Sequence, residues 1–208
     1  LDHIRRERIA GRVAKVAKDR QIVVFTHDLV FANSLMESAK KAGVSSASKT
    51  LRFGSGKAGV VIDGLPFEGQ KVPGRLDSIR KMANRAKEAY GNGDIDTSDN
   101  LIRLGYGRLR DTWERLIEEY LFAGVVVRFR RSVETRRLRE VEVGDDEFLA
   151  VEEGMSRCSR FAHDTPVEAQ DPVPTHDEFL ADIDKLDAFA KNVRANAKDT
   201  EKRRDLLC

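Results

Sequence analysis

His27 closes a run of four consecutive β-branched or aromatic residues, Ile22-Val23-Val24-Phe25, and stands between Thr26 and Asp28. A run of that composition predicts a strand covered on both faces, over about residues 21–26. Ligands of open α/β sheets bind outside the carboxyl ends of the strands. A histidine in that position is suited to phosphate chemistry, because its ring can donate a hydrogen bond to a phosphate oxygen. A second group lies further on. Arg110 and Glu114 are four residues apart and so share a helix face. Arg157 precedes His163 by six residues near the end of a helical pattern. Histidine moves protons and arginine holds the charge of a phosphate or phosphorane. Both sets also have plain structural readings. Arg110 and Glu114 make an ordinary ion pair of a few tenths of a kcal/mol (~0.2–0.5). His163, before Asp164 and Pro166, makes a helix-terminal cation that complements the dipole. His27 alone reads equally as a helix-capping or core histidine.

The elements that must position these groups are written in the apolar periodicity. Residues 2–18 predict a basic amphipathic helix with Ile4, Ile9, Val13, Val16 and Ala17 near one stripe and Asp2 as N-cap. A helix over Leu29–Ala42, ended by Gly43, follows the predicted strand, so the start of the chain is α-β-α, half of a parallel α/β unit. Residues 47–53 and 58–62 predict a hairpin around Gly54-Ser55-Gly56. Gly56-Lys57 is not a phosphate-binding loop. The motif needs glycine where Leu51 stands and Ser or Thr where Ala58 stands.

From Arg75 the pattern is helical. Helices are expected over 75–90, from the N-cap run Thr97-Ser98-Asp99 to a break at Gly105 or Gly107, over 108–127, over 145–162 with Phe148, Val151, Met155 and Cys158 or Ser159 inward, and over 177–197. Thr200–Cys208 is expected to fray. The last helix carries Phe179, Ile183, Leu186 and Phe189 at helical spacing, a stripe that suits docking on another chain. Between 128 and 139 stand six arginines (128, 130, 131, 136, 137 and 139) and one acid, Glu134, a basic window able to hold a nucleic-acid backbone or to form a solvated face.

Composition narrows the classes. The chain has 208 residues, 35% of them charged, with a net charge of +2, so a nucleic-acid signal has to come from local patches. No apolar run approaches the ~20 residues needed to span a bilayer, and no signal peptide is visible. Cys158 and Cys208 give neither a disulfide framework nor a zinc spacing, and the four histidines (3, 27, 163 and 176) are scattered, so no metal site is expected. A cytoplasmic location is the expectation. The chain opens at Leu1 in a charged helix, which reads as a fragment or a processed product.

Leu1-Asp2-His3, the basic helix and Val23-Val24-Phe25-Thr26-His27-Asp28 together resemble the C-terminal part of an ABC-type (RecF/SMC-like) AAA-family ATPase, similar to the anticodon-nuclease type bacterial ATPases. In that class an acidic strand leads into a D-loop, then a helix, then a strand ending in the switch histidine. The resemblance covers residues 1–40 most specifically. It implies that Leu1-Asp2-His3 ends the D-loop, with Asp2 reaching toward a partner's nucleotide, and that His27 is the switch histidine sensing the γ-phosphate. It implies an α/β fold: the C-terminal portion of a P-loop ATPase sheet over residues 1–72, followed by a mainly helical region over 73–208. ATP and Mg2+ are the implied cofactors, in a site completed by residues outside these 208, since no Walker A loop, signature motif or Walker B acid is present. The implied partners are the rest of the ATPase chain, a second copy through the nucleotide sites, and RNA or DNA, with no membrane. The implied setting is nucleic-acid processing or anti-phage defence.

For the helical half two further readings stand. Arg157 to His163 is similar to the Arg-x4–6-His pattern of HEPN ribonucleases, and Arg110-x3-Glu114 with a later histidine is similar to the arrangement in anticodon-nuclease ATPases, although some 50 residues separate the two elements here. The chemistry implied is metal-free RNA cleavage, with histidine acting on the 2′-OH or the leaving 5′-oxygen and arginine on the phosphorane. The other reading is a non-catalytic dimerisation or partner-binding module.

Overall fold

A computed structural model of the chain describes residues 3–54, 56–127, 133–162 and 172–207. The chain divides after Gln70 into two compact units. In the first, helix α1 (His3–Val16) packs against helix α2 (Leu29–Ala42), and an antiparallel hairpin of β1 (Lys49–Gly54) and β2 (Lys57–Asp63) leads into a 3-10 turn at Phe67–Gly69. In the second, α3 (Val72–Gly91), α4 (Ile95–Leu116), α5 (Asp145–Ala162) and α6 (His176–Asp205) pack as a bundle. The fold is thus mainly helical with a small antiparallel sheet, and α/β only in that loose sense. A parallel P-loop sheet is not among the described residues.

The predicted strand at 21–26 is the main departure. The segment lies outside any helix or ladder, and Val23 and Phe25 are 69% and 84% exposed. Its composition suits a central strand, but a strand exists only where a neighbour takes its N–H and C=O groups. α2 begins and ends where its local chemistry directs. Asp28 Oδ1 accepts from Val30 N at 3.0 Å and Phe31 N at 3.1 Å, and Gly43, at φ 71°, closes the other end with its N–H on the Ala39 and Lys40 carbonyls. α1 buries Ala10 and Ala14, the small residues that let it lie close, while Ile9 and Val13 are half-buried and Val16 is exposed.

The second unit corrects three helix boundaries. α3 starts at Val72, because Pro73 is tolerated in a first turn where its missing N–H has no intrahelical partner. α4 is one helix where two were expected. Asp94, not the Thr97–Asp99 run, is its N-cap and accepts from Thr97 N at 3.1 Å. It runs through Gly105 and Gly107 to Leu116 and passes into a π turn at Ile117–Leu121. α6 is capped by a reciprocal Thr175–Glu178 box and continues through the stretch expected to fray. There Arg139 Nε meets Glu201 at 3.1 Å, Arg203 meets Glu142 at 2.7 Å and Thr200 bonds Glu142.

α4 touches all three other helices of the bundle. Its Ile102, Tyr106, Leu109, Trp113 and Leu116 are buried together with Leu76 and Ile79 of α3, Cys158 and Phe161 of α5, and Phe179, Ile183 and Leu186 of α6. The α6 stripe expected to dock on another chain is therefore occupied inside the bundle, where Phe179, Ile183 and Leu186 have no exposed surface. The inward face of α5 differs as well. Phe148 is exposed and Val151 and Met155 are half-buried, Cys158 is buried as its place in the stripe predicts, and Gly154 and Phe161 face the other helices beside it.

Candidate functional site

His27 sits in the bend between the 21–26 segment and α2 and is exposed. Its neighbours build the turn. Thr26 Oγ1 accepts from Asp28 N at 3.0 Å, and Asp28, besides capping α2, meets Arg6 Nε of α1 at 2.9 Å. The polar triplet is thus two structural residues around one histidine whose ring projects no cap. Asp2 and Leu1 lie outside the described residues, as do His163, Arg128, Arg130 and Arg131. The described part of the first unit does not by itself fit a nucleoside triphosphate with Mg2+. Its glycine-rich tip joins two antiparallel strands, whereas a phosphate cradle leads from a strand into a helix. His27 is then a single donor.

The helical unit holds a denser polar cluster. On α5, Arg157 donates from Nε to Asp182 Oδ2 of α6 at 3.0 Å and lies 4.0 Å from Glu178 through Nη2. The same Asp182 oxygen accepts the Tyr106 hydroxyl of α4 at 2.8 Å. The Arg157 guanidinium also stacks over the Phe161 ring at 5.0 Å. Burial, then the bond to Asp182, keep the Tyr106 proton in place far above its usual range. Next to Arg157 in the chain, the Cys158 thiol is pushed up to about 12, chiefly by burial and then by the charge of Asp182, while Arg110 and Arg157 pull it the other way. Such a thiol is inert as a nucleophile at neutral pH.

Arg110 and Glu114 make the i,i+4 pair expected of their spacing, at 3.4 Å and half-buried. Arg110 of α4 thus acts on Cys158 across the helix interface and Arg157 from the next position on α5, but Arg157 is engaged by acids of α6. Sequence reasoning passed over those partners, Asp182 and Tyr106. Asp182 flanks the Phe179–Ile183–Leu186 stripe, a place from which a carboxylate reaches across a helix edge. Tyr106 stands between Gly105 and Gly107, a pattern that marks close approach of another element. Of the basic window, Arg137 donates from Nη1 to the Ala123 carbonyl at 2.9 Å and Arg139 pairs with Glu201 and Asp205, so both serve the fold of the chain.

Between α4, α5 and α6 opens a cleft of about 540 Å³. Leu109, Trp113 and Phe189 form its apolar wall, and Arg157, Arg160 and Lys185 stand among its polar groups. A smaller one, of about 390 Å³, shares Arg157 and Arg160 and runs toward Pro172 and Pro174. Among the described residues no three His, Cys, Asp or Glu side chains gather as a metal site, and no helix is long and apolar enough to cross a membrane. Comparison with protein-family models, with curated proteins and with solved structures found no match to this chain.

Proposed function

We propose that the chain is the C-terminal part of an ABC-type ATPase of nucleic-acid processing or anti-phage defence, contributing the switch histidine, His27, and a helical effector or partner-binding unit. The observation that supports this is the segment before His27. Four residues of central-strand composition lie outside any helix, lack a ladder partner among the described residues, and leave Val23 and Phe25 largely in water. Apolar side chains in that state gain about 25 cal/mol for each Å² covered, so the segment is poised to enter a sheet supplied by further residues. His27 then stands at the carboxyl end of that strand, where a γ-phosphate would lie, with ATP and Mg2+ held by residues outside these 208 and by a second copy. The 208 residues alone are expected to show no ATP turnover. In a longer protein with a Walker loop and an acidic strand upstream, His27→Ala is expected to lower turnover roughly 10²-fold or more while the fold persists. Unchanged turnover in that variant would remove His27 from the reaction.

A second reading concerns the helical unit, as a metal-free HEPN-like ribonuclease. Its support is the place of Arg157 near the end of α5, the helix from which the chain runs on to His163, with the half-buried pair Arg110–Glu114 on the neighbouring α4. Single-stranded RNA or tRNA is expected to be cut in the presence of EDTA, leaving a cyclic phosphate, and His163→Ala is expected to abolish the product. Cleavage that survives this change, or that depends on added metal, would exclude the mechanism.

A further inference from the structure

The cleft between α4, α5 and α6 carries an assignment independent of both readings above. We propose that it binds one nucleoside monophosphate unit, with the base against Phe189 and the phosphate on Arg160 and Lys185. At about 540 Å³ the cleft lies within the range of small-molecule sites. Its floor is aromatic. Phe189 is half-buried and lines the cleft, backed by the buried Trp113, whose ring lies 5.4 Å away and is tilted by 39°. Every base has a face that stacks on such a ring, whatever its hydrogen-bonding edge.

The charges above the floor have the sign a phosphate requires. Three cations, Arg157, Arg160 and Lys185, face two carboxylates, Glu153 and Asp182. Asp182 is taken by Arg157 and the Tyr106 hydroxyl. Lys185 meets Glu153 at 3.5 Å, a pair of largely exposed side chains that water and salt weaken, and lies 4.0 Å from Asp182 Oδ1. Arg160 is exposed and makes no ion pair with a described residue. A guanidinium and an ammonium on one rim suit a phosphate monoester, the first by its planar fork and the second as a mobile point charge. Gly154 shapes the opening. A Cβ there would come within 2.8 Å of Trp113 Nε1, so only glycine lets the indole lie against α5 and back Phe189 from beneath.

The chain has one tryptophan, Trp113, so its fluorescence reports on this cleft alone. Adenosine monophosphate is expected to change the emission saturably, adenosine to bind about tenfold more weakly for want of the charged contacts, and inorganic phosphate to leave the emission unchanged. Arg160→Glu is expected to weaken the monophosphate about tenfold or more without affecting adenosine. Phe189→Ala is expected to weaken both, and Phe189→Leu, which keeps the packing, to weaken both in the same order. A hexamer of adenylate that binds more tightly than the monophosphate would assign the unit to a strand, and equal binding would assign it to a free nucleotide. No saturable response to the monophosphate, identical titrations of wild type and Arg160→Glu, or a preference for a tyrosine-containing dipeptide would overturn the assignment. None of these readouts depends on hydrolysis of ATP or cleavage of RNA, so a failure of either reading above leaves this test intact.

Discussion

Phe179→Ala is expected to destabilise the helical unit by ~3–5 kcal/mol, the usual cost of removing a fully buried ring. Phe179 has no exposed surface, its ring lies 4.8 Å from that of Tyr106, and it rests on α4 where Gly105 has no side chain. Gly105→Ala tests the same contact from the other side. Its Cβ would fall 2.7 Å from Phe179 Cε1, so the ring or the helix has to shift, at a cost of ~1–3 kcal/mol. That cost outweighs the ~1 kcal/mol that alanine gains over glycine inside a helix. The two changes are therefore coupled, and the sign of one depends on the other. In the Phe179→Ala background the ring is gone, and Gly105→Ala is expected to stabilise by up to ~1 kcal/mol. Urea unfolding of the four variants at unchanged m-value measures the coupling. Additive effects within ~0.5 kcal/mol would show that the ring does not rest on the glycine. Where Phe179→Ala fails to fold, Phe179→Leu completes the same cycle.

Alkali is expected to unfold the helical unit through two groups in one cluster. Cys158 is raised from 9.0 to about 12 by burial and by Asp182, and Tyr106 is raised above its usual 10.0 by burial and the same carboxylate. Both are acids that stay protonated in the folded chain at pH values where the unfolded chain releases the proton. Folding then binds more protons than unfolding, and stability falls as pH rises. The contribution of Cys158 is complete below about pH 9 and is lost progressively toward pH 12. At ~1.36 kcal/mol for each pH unit, the loss is on the order of 4 kcal/mol across that window. Tyr106 adds its share above pH 10. Denaturant unfolding of wild type and Cys158→Ala at pH 8 and pH 10.5 is the check. The wild type is expected to lose more stability between the two, because the alanine variant keeps only the tyrosine's part. Parallel losses in the two proteins would place Cys158 outside the linkage.

The features legible in the sequence were those set by a few neighbouring residues. Gly43 closes α2 where its φ requires a glycine, and the boundaries of α5 follow its own periodicity. The features that escaped depend on residues far away. Ile22–Phe25 has strand chemistry, but a ladder needs a second strand, which its composition cannot supply. α4 crosses Gly105 because Phe179, over seventy positions later, requires the gap, so a residue that normally weakens a helix here permits its packing. α6 continues past residue 197 because Glu142 and Arg139 reach its last turns from another part of the chain. The site divides in the same way. Arg110, Glu114 and Arg157 stood out by spacing, but the carboxylate that holds Arg157 belongs to another helix, and only the packing of α4, α5 and α6 makes them neighbours.

The two ring-on-glycine contacts have a mechanical meaning. Phe179 of α6 enters α4 at Gly105, and Trp113 of α4 enters α5 at Gly154, so the three helices are keyed in series, each to the next. Helices that meet along smooth rows of similar side chains can slide by a fraction of a turn, and small shears of that kind add up to domain motion. Here a slide of one residue, about 1.5 Å along the axis, would bring a Cβ under a ring that has no room for it. A push on any one of the three is therefore transmitted to the other two without slip, which makes this part of the bundle a stiff lever rather than a sliding joint.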